Sequence, residues 1–566
     1  MGHGALDALT DSIAASPHAL GLELTAMCAG ALGAELSVLN VGLWHALCRG
    51  AGGEAFALEL VLPAVRALLF PSGGNNPQPP RDRQLVAAEV FVGVGLALNG
   101  WTDAAAAAAA EAALGALLVE TLGASAECAA EWGGAVELVS EDVHPARARW
   151  LVSLCLEQCT RLSTPTAADA PADGAATGAD AGGTSTSSLA LGTWLRLLTR
   201  AIDGGGWRCA AALVAVTAAP QLRSWLVHPA KAVRTRAALL LARALQLAVQ
   251  LPPSALGAAV ELRTHADAAV EFVLAAADAA VASTSALAAA DSGGGVADEA
   301  AADQFHDAVV QLVLGSGLAC ASLGPLAPHA PALLRAVVRA ATAARAPELR
   351  NTAKIATLAL SHQPLAAAPD AALLAAVAAV ARTDGEWRAR GAMAALLGPF
   401  LFRMQFALRP NELAGATATL LVMLVDPQQE VREACLPLIS GLARITTDGA
   451  RAQLQAQLSA LASTPLAASR GAAEHGARVA QRHGGVLGLA ALVRSSPYAV
   501  PAWLPPVLEL LVGHANDPFP VNKEVKATVA EFKRTHQDNW EECCAAFSEE
   551  QLSRILDNSS ALAHYA

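Results

Sequence analysis

One phrase recurs along this chain and restricts the fold more than any other feature. It reads HPAKAVR at 228–234, DPQQEVR at 426–432 and, more loosely, DPFPVNKEVK at 517–526. Asp426 and Asp517 are of the type that caps a helix by accepting its free N–H groups. Pro427 and Pro518 then fall at the first helical position, where a missing N–H costs nothing. Val431 follows inside the helix and faces a neighbour, and apolar positions continue at helical spacing through Ala434, Leu436, Leu438 and Ile439. His228-Pro229 leads into Val233-Arg234 and then Leu239, Leu240 and Leu241 in the same manner.

The phrase resembles the second-helix signature of HEAT repeats, in which helix pairs stack into a solenoid. The copies are too divergent to give a period, so an ordinary helical bundle with good caps stays open as the alternative. Composition supports helices in either case. Apolar residues are 54% of the 566 positions, mostly alanine and leucine, while aromatics are 4%. Sheets favour β-branched and aromatic residues, which are sparse here. A chain of this length exceeds one compact core, which stops growing near roughly 250–300 residues. The expected class is therefore all-α, a HEAT/armadillo-like α-solenoid of stacked antiparallel helix pairs running through 1–566. Four segments read as loops by their Gly, Pro, Ser and Ala content: 71–80, 163–188, 291–295 with its flanks, and 463–477. The longest, near 163–188, is expected to be a flexible surface insertion.

The formal net charge is −12 with no Lys/Arg block, which argues against direct nucleic-acid binding. Ten cysteines without regular spacing suggest buried thiols of a reducing compartment. MGHGALDALTDS lacks a basic stretch followed by an apolar one, so no secretory signal is expected. Gln311–Leu334 is uncharged, but Pro325, Pro328 and Pro331 make a helix–turn–helix the better reading than a membrane span. These observations predict a soluble, intracellular chain without a membrane partner.

A search for chemistry returns little. Gly93-Val94-Gly95 with Gly100 faintly suggests a dinucleotide loop, but Leu98 stands where a glycine is needed and no strand precedes it, so helix packing is the better explanation. Cys155 with Cys159, and Cys543 with Cys544, lack a second pair or histidines at metal spacing. No G-x-S-x-G, H-E-x-x-H or Walker loop occurs. No catalytic residue, no metal and no enzymatic activity is expected.

The C-terminal region is different in kind. RHGGVLGL (482–489), SSPYAVPAWLP (495–505), HANDP (514–518), FKRTHQDNW (532–540) and the closing His564-Tyr565-Ala566 follow in order. Together they closely resemble the C-terminus of the proteasome activator complex subunit 4 family, large HEAT-repeat activators of the proteasome core particle. The likeness thins upstream, through Glu386-Trp387-Arg388-Ala389-Arg390 and DPQQEVREACLPLISGL (426–442), towards residue 80. A C-terminal family domain at 480–566, ending in a docking tail, is thus expected. Since family members are much longer, the chain reads as their C-terminal portion.

The resemblance implies a non-catalytic regulator that binds the α-subunit ring of the core particle and promotes gate opening and ubiquitin-independent, ATP-independent degradation. It implies a place in nucleus and cytoplasm, with DNA repair among the processes served. The docking residues implied are His564, Tyr565 and Ala566: a free carboxylate for capture, and a ring that packs while its hydroxyl bonds. No cofactor is expected, apart from inositol phosphates that the resemblance allows on residues not placed here. Two departures matter. His564 stands where the family's tail has an apolar residue. The Asn-Phe pair credited with binding acetylated histones is replaced after SGLAR (440–444) by Ile445-Thr446-Thr447, so acetyl-lysine recognition is not expected. A HEAT-type scaffold or transport adaptor is the alternative function, and Tyr565 is what distinguishes the two.

Overall fold

The computed structural model describes residues 38–71, 78–142, 145–163, 186–289, 295–319, 323–362, 371–466 and 474–560. It divides into two units, 1–280 and 281–566. Among the described residues every regular element is a helix. The all-α expectation holds, and successive helices pack on their first and second neighbours, as stacked pairs of a HEAT/armadillo-like solenoid do.

Unit 1 contains α1 (Val38–Arg49), α2 (Leu62–Leu69), α3 (Arg81–Ala97), α4 (Ala104–Ala124), α5 (Ala129–Asp142), α6 (Pro145–Ser163), α7 (Thr186–Gly205), α8 (Ala210–Ala218), α9 (Pro220–Leu226), α10 (Lys231–Gln250) and the start of α11 (Leu256–Ala289). In α10 the buried set Val233, Ala237, Leu240, Leu241, Ala244 and Leu245 follows the 3.6-residue period, and this stripe faces α7 and α9. In α3, Gly93 and Gly95 are sites of close helix approach. A Cβ on Gly93 would stand 2.3 Å from the Trp44 side chain, and one on Gly95 2.8 Å from Val139. The glycines are helix packing, not a dinucleotide loop. By length and composition alone α4 could cross a membrane, and 39% of its apolar window is buried in the structure.

Unit 2 contains α12 (Gly295–Leu314), α13 (Ala330–Ala343), α14 (Pro347–Ser361), α15 (Ala371–Thr383), α16 (Trp387–Met404), α17 (Pro410–Leu424), α18 (Gln429–Ala434), α19 (Leu436–Ile445), α20 (Asp448–Ala462), α21 (His475–Arg494), α22 (Leu504–Val512), α23 (Val521–Thr535), α24 (Trp540–Cys544) and α25 (Glu549–Ser560). The uncharged stretch at 311–334 is broken, as its prolines require, into the end of α12, short irregular turns and the start of α13.

The recurring phrase does not cap helices as its residues suggest. Pro229 and Pro427 each sit two residues before the helix opens, at Lys231 and Gln429, and α23 begins at Val521, with Pro520 before it. Neither Asp426 nor Asp517 is an N-cap. What repeats is the arginine. Nη1 of Arg432 donates to the carbonyls of Asp426 (2.6 Å) and Pro427 (2.9 Å). Arg234 does the same to His228 and Pro229, Arg350 to Ala344 and Arg345, and Arg390 to Asp384 and Gly385. Each guanidinium thus reaches back five and six residues and ties the turn to the helix that follows it through two of the turn's carbonyls.

The aspartates reach across to the preceding repeat. Asp426 takes Nε and Nη2 of Arg390 at 2.6 and 2.9 Å and also accepts the Gln428 N–H at 2.8 Å. Asp517 takes Nη1 of Arg482 at 3.0 and 3.1 Å. A buried carboxylate such as that of Asp426 gains more from a bidentate guanidinium than from capping a helix, and it keeps the single Gln428 amide bond besides. Burial alone would raise the Asp426 carboxyl, but the hydrogen bonds from Arg390 and Gln428 overcome it and hold it below the usual carboxylate range.

Of the expected loops, 72–77, 164–185, 290–294 and 467–473 lie outside the described residues. Where the rest is described, Ser163 ends α6, Thr186–Ser188 open α7, and His475–Ala477 open α21, so those edges are helical rather than loop. The described cysteines are unpaired, and all but Cys544 are buried. Burial pushes the thiols of Cys48, Cys155 and Cys435 up to about 12.

Candidate functional site

The C-terminal motifs assemble into one platform. Its axis is α21, whose RHGGVLGL segment is set by close packing. A Cβ on Gly484 would lie 1.9 Å from the Leu424 carbonyl oxygen, one on Gly485 2.1 Å from the Ala462 nitrogen, and one on Gly488 2.1 Å from Leu458. Only glycine allows α17 and α20 to approach this closely. Among and just after the glycines, Val486, Leu487 and Leu489 are fully buried. The flanking polar residues are also accounted for. Arg482 donates to the Thr464 carbonyl as well as to Asp517, and His514 Nδ1 lies 2.7 Å from the same Asp517.

His483 is 1% exposed, and its Nδ1 accepts a hydrogen bond from Arg432 Nε at 3.0 Å. That bond requires Nδ1 to carry no proton, so the ring is neutral with its proton on Nε2. Burial first, and the Arg432 charge second, lower its pKa to about 4. At the other end of α21, Arg494 binds Glu524 and Glu531, both at 2.8 Å. Burial raises the Glu524 carboxyl in spite of that pairing.

FKRTHQDNW supplies the aromatic joint at the far end. Phe532 stacks on His536 at 4.2 Å and meets Trp540 at 6.5 Å and Phe547 at 6.0 Å, edge-on. His536 Nδ1 lies 2.9 Å from the Phe532 carbonyl. In SSPYAVPAWLP, the Trp503 ring carries Arg451 at 5.0 Å. The last helix, α25, lies on α22 and α23. Ile555 is buried, and Gln551 and Arg554 both donate to Glu509 at 2.9 Å. The motifs are therefore the packing and pairing of a rigid base, from which residues 561–566 continue.

The expected docking residues His564, Tyr565 and Ala566 lie outside the described residues. The residues in place of the acetyl-lysine pair are described. Thr447 caps α20 through its hydroxyl and the Ala450 N–H (3.4 Å), and the Thr446 hydroxyl is buried without a bond among the described residues. What the sequence does not suggest is the arginine–histidine contact between Arg432 and His483. These residues stand 51 positions apart, and nothing local marks them.

Residues 479–566 match the family Proteasome activator complex subunit 4-like, C-terminal. The resemblance read from the motifs is thereby found independently, on the same segment that forms the platform. Across a wider span, the chain is 35% identical over 228 residues to proteasome activator complex subunit 4 of Homo sapiens, covering 39% of this chain and 12% of that protein. It is 35% identical over 184 residues to proteasome activator subunit 4 of Arabidopsis thaliana, covering 32% and 10%. It is 36% identical over 75 residues to proteasome activator BLM10 of Saccharomyces cerevisiae, covering 13% and 4%. The matched part thus spans about 12% of the length of the human relative. Among solved structures, importin beta aligns at 13% identity with a TM-score of 0.30, covering 90% of this chain and 63% of that one. An engineered protein aligns at 14% identity with a TM-score of 0.29, covering 83% and 99%. The activator family is thus supported by sequence at the C-terminal platform, and the all-helical fold by the structure itself.

Proposed function

We propose that this chain is a non-catalytic activator of the proteasome core particle, and that it docks on the α-subunit ring through His564, Tyr565 and Ala566. The observation that carries this reading is the match of residues 479–566 to the activator family, over a segment many of whose motif residues build one platform. A rigid base that ends next to a short tail suits a tail that must enter a pocket while its root stays fixed, because little further order has to be imposed on binding. The tyrosine contributes an aromatic anchor, and the Ala566 carboxylate a charge-assisted partner for a lysine or for backbone N–H groups. Docking would promote gate opening and degradation of peptides and proteins without ubiquitin or ATP.

The test is hydrolysis of a fluorogenic peptide by purified core particles, with and without the full chain. Stimulation that disappears in Tyr565→Ala supports the reading, since losing the anchor removes on the order of 2–4 kcal/mol from the tail's own affinity. No stimulation by the wild-type chain argues for a helical scaffold without proteasome activity. Stimulation that survives Tyr565→Ala places the contact elsewhere than the tail.

A further inference from the structure

Unit 2 carries a groove of about 1190 Å³ where α12, the end of α13, the α13–α14 turn, the first half of α14, the start of α16 and α18 come together. Five cationic side chains line it: Arg339, Arg345, Arg350, Lys354 and Arg388. The carboxylates in the lining are Asp303 and Glu430. In a chain whose formal charge is −12, this is a local reversal of sign.

Part of the lining is fixed in place. Asp303 accepts the backbone N–H groups of Arg345 and Ala346 at 3.2 and 2.9 Å, and Arg350 holds the turn carbonyls of Ala344 and Arg345. Arg388 lies 4.7 Å from the centre of the Trp387 ring. By contrast, the Arg345 guanidinium and the Lys354 ammonium have no hydrogen bond or ion pair among the described residues. Two unneutralised cations therefore stand on a turn and a helix whose positions are already set.

The volume exceeds the roughly 300–1,000 Å³ of small-molecule pockets, so a chain segment fills the groove better than a single metabolite does. Alanine, threonine and valine side chains and the Trp387 ring share the lining with the charges. A densely charged polyphosphate would crowd its charge against Glu430 and leave the apolar lining unused. Carboxylates spaced along a peptide, with apolar atoms between them, suit the mixed surface. We propose that this groove binds extended acidic peptide segments, with Arg345 and Lys354 taking their carboxylates. The proposal does not depend on docking to the core particle.

The experiment uses the full chain and a fluorescein-labelled octapeptide of alternating glutamate and alanine, read by fluorescence polarisation at low salt. A lysine–alanine counterpart and tripolyphosphate as competitor complete the set. The acidic peptide should bind saturably and the lysine peptide should not. Arg345→Glu with Lys354→Glu should raise the Kd at least about tenfold. The same charge change at Lys523→Glu with Lys526→Glu on α23, outside the groove lining, should leave it within about twofold. If the reversed groove variant unfolds, Arg345→Gln with Lys354→Gln should still weaken binding several-fold. Three results would overturn the proposal: no saturable binding of the acidic peptide, equal losses in the groove and α23 variants, or tripolyphosphate displacing the peptide at lower concentration than the peptide itself needs.

Discussion

Helices α4 and α21 are nearly equal in length and opposite in how their sequences specify them. In α4, which opens with a run of seven alanines, the buried face is made by Ala107, Ala110, Leu114, Leu117 and Leu118. One cap (the Asp103 carboxylate on the Ala105 N–H) and an exposed pair between Arg66 and Glu120 complete it. Many other alanine- and leucine-rich sequences would fold as well there. In α21, from Arg482 onward, particular residues answer to particular neighbours: three glycines to touching helices, and Arg482, His483 and Arg494 to partners on other repeats. A helix specified by composition leaves no signature, whereas one specified contact by contact leaves a motif that persists among distant relatives. The family match at 479–566 takes in most of α21 and no part of α4.

The comparison is sharpest at glycine. Gly485→Ala in α21 places a methyl group 2.1 Å from the Ala462 backbone nitrogen, which cannot yield as a side-chain tip would. It should destabilise unit 2 by about 3 kcal/mol or more, seen as a lower midpoint in urea unfolding. A change under about 0.5 kcal/mol would mean that the helices are not in close contact. At the other extreme, a Cβ on Gly123 in α4 meets nothing within 4 Å, so the smallest effect belongs there.

Asp426→Ala comes next. Its carboxylate is 5% exposed in the pair with Arg390, and its loss leaves a guanidinium that is 14% exposed without its counter-charge. A destabilisation of about 3 kcal/mol is expected, larger than the ~1 kcal/mol of a lost helix cap. Thermal unfolding of Asp426→Ala beside Arg390→Ala and the double variant tests it. Additive losses would contradict the pairing, because coupled partners give less than the sum.

His483 provides a pH test of similar size. The folded pKa, about 4, lies below the ordinary histidine value of 6.5. The unfolded chain therefore takes up the proton first as pH falls. The stabilisation is complete above pH 6.5, declines below it, and is lost once pH passes through about 4, for a total of about 3 kcal/mol. In His483→Gln, whose side chain does not titrate, this part of the decline between pH 6.5 and 4 should be missing from the unfolding curves. An unchanged profile would locate the acid sensitivity elsewhere. Smallest of all, Gly123→Ala should stabilise by about 0.5–1 kcal/mol through helix propensity.

The helical class was legible because alanine, leucine and the 3.6-residue period say the same thing throughout, as in α10. The helix starts were not. Asp-Pro is a good capping signal locally, but Asp426 and Asp517 are drawn to arginines 36 and 35 residues away, a preference no local pattern reveals. The fixed step from Arg432 back to residues 426 and 427 is present in the phrase, but an arginine at that distance carries no local capping signal. The motifs of 482–540 identified the family without disclosing their role, which is to build the platform. The cationic groove was invisible because its cations come from three helices and a turn, and none forms a run in sequence.

The most direct test of the tail as the point of attachment is co-sedimentation of the full chain with purified core particles, comparing wild type with a chain lacking residues 564–566. Thermal unfolding of both chains serves as the folding control. The wild-type chain should sediment with the core particle. The shortened one should remain in the supernatant at concentrations about 30-fold above those at which the wild type is bound, as a loss of 2 kcal/mol or more requires. Equal sedimentation of the two chains would contradict the claim that the tail carries the docking.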